Sequence, residues 1–218
     1  MMVKNMTKNT VDLLAGFIDE FGKEMLQKES NFLQQLPMQG TNWENCWLSP
    51  ELYCFFKTKK RSNYKNAQGI GIADVFFQIP VVLTTLANKI IDFHILYTNG
   101  EEAWLQIKAW AMEQGESTNA TLRSRWHFSP TAHNEDCDLR NFGPMTEPGN
   151  KYGMFGISSK HAYKIAPDKI REWSVNVNEQ EGTYITRLRE LHLKAELVND
   201  ISIYKPHFLL GLFKVSPI

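Results

Sequence analysis

Residues 90–110, IIDFHILYTNGEEAWLQIKAW, decide the fold, because this stretch can form either of two mutually exclusive structures. In one, Asn99-Gly100 closes a β-hairpin, since Asn-Gly between two alternating segments is the strongest short-range hairpin signal. In the other, Asn99 caps a helix that ends at Gly115. The hydrophobic pattern favours the hairpin, because side chains after the turn alternate with a period of two. One face then carries Ala103, Leu105, Ile107 and Ala109, and the other carries Trp104, Gln106, Lys108 and Trp110.

The hairpin brings three polar side chains together, whereas the helix scatters them. Gln106 and Lys108 share a strand face, and Asp92 begins the partner strand. If the strands splay at Asp92, its carboxylate can approach both side chains. Carboxylate and amide oxygens are hard ligands suited to Mg²⁺. A metal that polarises water and neutralises a phosphate, with a lysine beside it, is what phosphodiester hydrolysis needs.

The bulk composition sets only broad limits on function. A length of 218 residues with 43% hydrophobic and 22% charged residues suits one domain with a sizeable core. The formal net charge of zero gives no bulk attraction to nucleic acid, which leaves only a local basic face for that purpose. The three cysteines follow no disulfide or metal pattern, which predicts reduced thiols in a cytoplasmic protein. We expect neither a signal peptide nor a membrane span.

Periodicity along the rest of the chain predicts a mixture of helices and strands. An amphipathic helix is expected over residues 10–30 with Thr10 as its cap, and a second helix starts with Ser49 at its N-cap and Pro50 after it. The basic run that follows is expected to be a loop, and the strand at 70–79 is expected to end at Pro80. Further predictions are helices at 135–142, 166–173 and 181–198, and strands at 151–159 and 207–215.

The stretch at 90–110 resembles the signature hairpin of the PD-(D/E)XK nuclease superfamily, which has the restriction-endonuclease-like fold. The family pattern is an Asp that opens one strand, then a short hairpin, an apolar residue, an acid, any residue and Lys. Here those positions are Asp92 and the four residues 105–108, LQIK. The family core of helix, three-stranded meander, helix and strand matches residues 49–159. The resemblance implies an α/β fold with a mixed central sheet flanked by helices. Residues 160–218 lie outside the resemblance, and we expect the helices and strand there, with the N-terminal helix, to be elaborations of a single domain over 1–218.

Two positions depart from the family pattern. Ile91 stands where the family often has Pro, which is a tolerable change. Gln106 stands where the family usually has Asp or Glu, and the loss of one negative charge weakens cation binding. Some members of the superfamily carry Gln at this position.

The resemblance also implies roles for individual residues. Asp92 and Gln106 would bind Mg²⁺, with Mn²⁺ as an alternative, and Lys108 would stabilise charge or orient water. Glu51 is the candidate for an additional acid from the preceding helix, although it equally suits the positive end of that helix. Asp74 is a candidate for a second metal ligand.

The implied activity is that of a metal-dependent DNA endonuclease of the restriction, transposition or repair type, with DNA as its partner, no membrane association and a homodimeric state. The residues expected to contact the DNA backbone are Lys59, Lys60, Arg61, Arg123 and Arg125. His94 is a candidate base, and Trp104 and Trp110 are candidates for stacking on a nucleotide, although a structural role explains all three better.

Two other classes of function remain open. Gln106 and the zero net charge favour a non-catalytic protein that binds a protein or nucleic acid, of the effector, anti-defence or immunity type. A small-molecule-binding α/β domain is the third alternative.

Overall fold

The computed structural model describes residues 12–28, 47–83, 86–111, 142, 145, 147–158, 193–198, 202–204 and 208–217. Within these ranges the chain forms two helices and the seven strands of one sheet. The helices are α1 (Leu13–Lys28) and α2 (Ser49–Arg61). The strands are β1 (Ile72–Leu83), β2 (Leu86–Tyr97), β3 (Glu102–Ala111), β4 (Asn150–Ser158), β5 (Leu193–Leu197), β6 (Ser202–Tyr204) and β7 (Phe208–Pro217).

The sheet is mixed, which confirms the predicted α/β character. Its strand order is β1-β2-β3-β4-β7-β5, and β6 also pairs with β7. All neighbours are antiparallel except β3 and β4, which are parallel. A parallel pair needs a crossover connection, here supplied by residues 112–149. The crossover helix predicted at 135–142 lies outside the described residues apart from Phe142, so the restriction-endonuclease-like core stays a prediction.

The stretch at 90–110 forms a hairpin, and the alternative helix ending at Gly115 is wrong. Tyr97 N–H donates to Glu101 O at 2.9 Å, and Gly100 N–H donates to Tyr97 O at 3.0 Å. Gly100 has a φ of +85°, in the left-handed region. The connection is therefore a three-residue loop over 98–100 that ends in a left-handed glycine, a common hairpin type.

Alternation along the strands gives the sheet two different faces. One face packs against α1 and α2 and forms the main core, with ring contacts between Phe17 and Tyr97 and between Phe56 and Phe93 at centroid distances of 6.1 and 6.0 Å. The strand residues of this core include Val75, Phe93, Ile95, Leu105, Ile107, Tyr152, Met154, Leu210 and Leu212. Because side chains alternate, the intervening residues of β2 and β3 belong to the opposite face. That face carries Asp92 and Gln106.

Helix α1 matches its predicted apolar stripe but not its predicted cap. The stripe residues Leu14, Ile18, Phe21 and Met25 are all buried. Asp12 Oδ1 accepts the backbone N–H groups of Leu14 at 3.1 Å and Ala15 at 3.2 Å, so Asp12 is the N-cap. The prediction of Thr10 was wrong because the helix begins at Leu13, and Thr10 itself lies outside the described residues.

Helix α2 is longer than predicted at both ends. Leu48, which precedes it, already has helical dihedral angles, and no side chain caps the helix. The predicted N-cap Ser49 is therefore wrong, and its Oγ is buried without a hydrogen-bond partner. The helix continues to Arg61, so the basic residues 57–61 are helical rather than part of a loop. Lys59 and Lys60 stabilise this extension because both find carboxylate partners on neighbouring elements.

Two strand predictions are corrected by the sheet. β1 continues past Pro80, which pairs with Ile90; proline is tolerated there because β1 is an outermost strand. Residues 193–197, predicted as part of a long helix, form β5 against β7. The segment LKAEL consists of good helix formers but also alternates with a period of two, and pairing with β7 overrides its helical propensity. The short strand β6 was not predicted.

Candidate functional site

The candidate site lies where β2 and β3 separate. Their backbone pairing runs from Leu96 and Glu102 to Phe93 and Leu105, and Asp92 is the next residue of β2. Asp92 Oδ2 accepts the backbone N–H of Ile107 at 2.7 Å and the side-chain Nε2 of Gln106 at 2.6 Å. The strands thus splay at Asp92, and the carboxylate reaches Gln106 as the hairpin predicts.

The Asp92–Gln106 pair is nearly closed to solvent. Asp92 is 8% and Gln106 9% exposed, so both hydrogen bonds to the carboxylate form in a medium less polar than water, where such charge-assisted bonds are strong. Gln106 turns Nε2 toward Asp92 because its own oxygen would be repelled by the carboxylate. Gln106 Oε1 is left buried without a hydrogen-bond partner. An unpaired buried carbonyl oxygen costs about 1–3 kcal/mol, and a bound cation or donor would recover that cost.

The next strand offers no side chain to Gln106. Gln106 pairs in register with Gly153 of β4, and Gly153 pairs with Phe213 of β7. Because glycine has no side chain, nothing stands between Gln106 and Phe213 in this row of the sheet. The side of Gln106 away from Asp92 therefore lacks a side-chain neighbour within the row.

A residue of β1 with a strained backbone lies opposite Asp92 of β2. Gln78 falls between the pairs Phe77–Phe93 and Ile79–Ile91, at the same level of the sheet as Asp92. Its φ is +53°, which costs a non-glycine residue about 1–2 kcal/mol. Backbone strain of this kind tends to cluster at functional sites. Sequence analysis missed Gln78, because no sequence pattern predicts a left-handed glutamine inside a strand.

For two other predicted site residues, the structure gives only their places in the fold. Lys108 follows Gln106 by two residues in β3, at the register position of Phe155. Glu51 lies in the first turn of α2 and is half-buried. Both remain candidates for the roles that the resemblance implies.

Asp74 is not brought to Asp92. It pairs with Leu96, four residues from Asp92 along β2, which corresponds to roughly 13 Å. Its carboxylate instead forms ion pairs with Lys60 at 2.7 Å and Lys57 at 3.5 Å. The hydrogen bond from Lys60, followed by that from the Val75 N–H, lowers the pKa of Asp74 below its usual value. The structure therefore does not bring Asp74 together with Asp92, and the ion pairs of Asp74 join β1 to α2.

The splay carries two oxygen donors of the kinds that Mg²⁺ prefers. Among the described residues, no three His, Cys, Asp or Glu side chains cluster as a metal site would require. Asp92 supplies one carboxylate, and Gln106 supplies an unpaired amide oxygen. Mg²⁺ is usually held by one or two carboxylates and completes its shell with water and substrate phosphates. This donor set is weaker than the usual pair of acids, because an amide oxygen carries no charge.

His94 and Trp104 serve each other rather than a nucleotide. Their rings stack at a centroid distance of 3.8 Å with 4° between the planes, and His94 Nε2 lies 2.9 Å from Glu102 Oε2. Trp104 is buried, and its Nε1 donates to Pro148 O at 2.8 Å. The observed partners thus favour packing over the base or stacking roles. The hairpin register, which pairs Leu96 with Glu102, is the signal that would have predicted Glu102 near His94.

The predicted DNA-contacting residues are only partly available. Lys59 Nζ binds Glu24 at 2.8 Å and Glu20 at 3.0 Å, and Lys60 binds Asp74. Arg61 is exposed in the last turn of α2. Arg123 and Arg125 lie outside the described residues. Two of the three described cations are therefore engaged by the protein's own carboxylates.

Comparison of the chain with models of protein families, with curated proteins and with solved structures gave no match. Within the described ranges, no helix has the length and apolar character needed to cross a membrane. Function is therefore inferred from the geometry of the chain itself and from the resemblance of its hairpin.

Proposed function

We propose that this chain is a metal-dependent endonuclease that hydrolyses phosphodiester bonds in DNA at the β2–β3 splay. One observation carries the proposal. Asp92 and Gln106 meet as a buried pair at the end of the ladder, and Gln106 Oε1 remains without a partner. The spacing of Asp92, Gln106 and Lys108 resembles the PD-(D/E)XK signature, which supports a catalytic reading of this pair.

Each residue has a distinct role in this proposal. Asp92 and Gln106 Oε1 hold Mg²⁺, or Mn²⁺ in its place, and Glu51 adds a further acid. When bound, the metal lowers the pKa of water and neutralises charge on the phosphate. Lys108 stabilises the charge that develops on the phosphate. The Ile107 N–H fixes the orientation of the Asp92 carboxylate, which keeps the site preorganised.

The direct test is DNA cleavage by the wild-type protein and three variants. Supercoiled and linear DNA are incubated with Mg²⁺, Mn²⁺ or a chelator. We expect metal-dependent cutting that falls at least about 100-fold in Asp92→Ala and Lys108→Ala, the usual scale for loss of a group that stabilises transition-state charge. The matched control is Lys23→Ala, which removes an exposed lysine of α1 that pairs with Asp19 and should cut normally.

Two results would contradict the proposal. One is a folded wild-type protein that cuts neither DNA form with either metal. The other is cutting that survives both Asp92→Ala and Lys108→Ala, which would place the activity elsewhere in the chain.

A second candidate is a non-catalytic binding protein of the same fold. It is favoured because Asp92 Oδ2 already accepts two N–H groups, so the pair also works as a structural clasp. Phe76 and Ile90, on the two outermost strands at the β1 edge, are 45% and 53% exposed and offer apolar contact area. This candidate predicts DNA or protein binding in the presence of chelator with no cleavage, measured by mobility shift on the same samples.

A further inference from the structure

A polar cleft, separate from the Asp92 site, lies at the opposite end of β2. It has a volume of about 450 Å³, which is within the range of small-molecule sites. The residues that matter in its lining are Asp12, Tyr97, Glu101, Tyr152 and Lys214. Tyr97 follows Asp92 by five residues, or roughly 16 Å of strand, so this cleft is separate from the proposed nuclease site.

The Tyr97 hydroxyl is a buried donor without an acceptor. Tyr97 is 4% exposed, its ring stacks on Phe17, and its hydroxyl has no hydrogen-bond partner. Burial, followed by the negative charges of Asp12 and Glu101, raises the pKa of Tyr97 well above its usual value. The hydroxyl therefore keeps its proton and is a neutral donor of a residue in the cleft wall.

The acceptors in the cleft, in contrast, are already engaged. Asp12 Oδ1 caps α1, and Asp12 Oδ2 accepts the hydroxyl of Tyr152 at 2.8 Å. Glu101 Oε1 accepts the side-chain amide of Asn99 at 2.9 Å. None of these contacts supplies a hydrogen-bond acceptor for the Tyr97 hydroxyl.

Lys214 is a second donor in the wall of the cleft. Its Nζ lies 5.9 Å from the centre of the Tyr152 ring, and it forms no ion pair with any residue that the structure describes. The side chain is half-buried in the cleft wall. Among the described side chains, the cleft thus presents one neutral and one cationic donor without a hydrogen-bond or ion-pair partner, and an anionic oxygen is the group that satisfies both.

We infer that this cleft binds a small amphoteric carboxylate of the amino-acid class. The ligand carboxylate accepts from the Tyr97 hydroxyl and the Lys214 ammonium group. Asp12 and Glu101 repel a multiply charged anion and attract a cationic group, so the ligand carries one carboxylate and one ammonium group. Phosphate, with its higher charge, is disfavoured.

Ligand-observed saturation-transfer NMR tests this inference on the full chain. The probes are the standard L-amino acids, the corresponding amino-acid amides and inorganic phosphate. We expect at least one amino acid to bind while its amide and phosphate do not. Tyr97→Phe and Lys214→Met should each weaken binding about tenfold, as expected for a lost hydrogen bond to a charged group. The matched control is Lys151→Met, because Lys151 neighbours the cleft in sequence but donates to Glu147 O.

Three outcomes would overturn the inference. They are no binding of any amino acid to the wild-type protein, binding by both cleft variants that is as tight as that of the wild-type protein, or a preference for amide or phosphate. Tyr97→Phe removes only a hydroxyl that has no partner, so the variant should stay folded. None of these residues belongs to the Asp92 site, so the result is independent of the DNA cleavage assay.

Discussion

The carboxylate of Asp92 accepts the backbone N–H of Ile107 at 2.7 Å, so a side chain closes the end of the β2–β3 ladder. The same Oδ2 atom accepts Gln106 Nε2 at 2.6 Å. Two N–H donors of β3 thus hydrogen-bond to one oxygen atom of β2, at the point where backbone pairing between the strands ends. Asp92 consequently has a structural role in addition to the catalytic one proposed for it.

Replacement of Asp92 by asparagine should destabilise the fold. Asp92→Asn keeps the shape but offers a neutral oxygen and turns an amide N–H toward β3, where donors already converge. We expect the free energy of unfolding to fall by about 1–3 kcal/mol, the usual cost of a lost buried hydrogen bond to a charged group. Urea denaturation measures it. The control Asp19→Asn affects an exposed ion pair and should change stability by less than about 1 kcal/mol; equal effects of the two substitutions would remove the structural role.

Placing an acid at position 106 tests whether the splay between β2 and β3 can bind a cation. Gln106→Glu places a second carboxylate against Asp92, and two carboxylates sharing a site repel each other. Without divalent metal we expect a loss of about 1–3 kcal/mol at neutral pH, since the hydrogen bond is lost and a buried charge is added. Mg²⁺ or Mn²⁺ should recover most of this loss by binding the pair, as seen in the melting temperature.

The wild-type protein is the matched comparison for that measurement, and its melting temperature should respond less to metal. If metal leaves the Gln106→Glu variant as unstable as it was, the position does not hold a cation. The non-catalytic binding protein would then be the better account of the site.

The Asp92–Gln106 contact could be predicted from sequence because it depends only on local features. Period-two alternation on both sides of Asn99-Gly100 aligns the arms, because a slip of one residue would turn the apolar side chains of one arm away from the core. The role of Ile107 could not be predicted, since it depends on where backbone pairing ends. Nothing in the residues around Asp92 marks that end.

Errors elsewhere have a common physical origin in long-range partners. The segment 193–197 has a sequence suited to a helix, and the available partner strand β7 decides its structure. Lys59 was predicted to contact DNA, yet Glu20 and Glu24, some forty residues earlier in the chain, bind it. Sequence patterns report the preference of a segment, and these contacts depend on what lies beside it in the fold.

The ion pairs of Asp74 should make stability depend on pH in a defined direction. The folded-state pKa of Asp74 is lowered by the hydrogen bond from Lys60 and then by that from the Val75 N–H. A lowered carboxyl pKa contributes stability above the ordinary value of 3.8, and this contribution is lost as the pH falls through the folded-state pKa. Because Asp74 is about one-third exposed, we expect only about 0.5 kcal/mol.

Urea denaturation of Asp74→Asn and the wild-type protein checks this expectation. The variant should be less stable at neutral pH, and the two proteins should converge in acid well below the ordinary carboxyl pKa. Lys60→Met removes the main ion-pair partner of Asp74. In a protein that carries Lys60→Met, Asp74→Asn should therefore lower the free energy of unfolding less and with a weaker dependence on pH. A difference that persists unchanged in acid would assign the effect of Asp74→Asn to something other than charge.

The two tyrosines of the polar cleft should respond oppositely to loss of the hydroxyl. Tyr152→Phe leaves Asp12 Oδ2 without its donor and should lower the free energy of unfolding by about 1–3 kcal/mol. Tyr97→Phe removes a buried hydroxyl that has no partner and should leave stability unchanged or raise it by about 1 kcal/mol. Denaturant titration without added ligand compares them. A larger loss in Tyr97→Phe than in Tyr152→Phe would show that the Tyr97 hydroxyl has an acceptor in the protein.

A side chain at Gly149, which directly precedes β4, should destabilise the fold. Its φ is +106°, and a Cβ built there would lie 2.8 Å from Glu102 Cβ and 2.9 Å from Glu102 O. Gly100 is the matched control, because its φ is +85° but an added Cβ would meet nothing within 4 Å. Gly100→Ala should cost about 1–2 kcal/mol from backbone strain alone. Gly149→Ala adds an overlap at the junction of β3 and β4 and should cost at least about 1 kcal/mol more, as overpacking does. Thermal unfolding of both variants measures the stability that each one loses. If the two losses are equal, β3 and β4 move apart at no cost to make room for the methyl group.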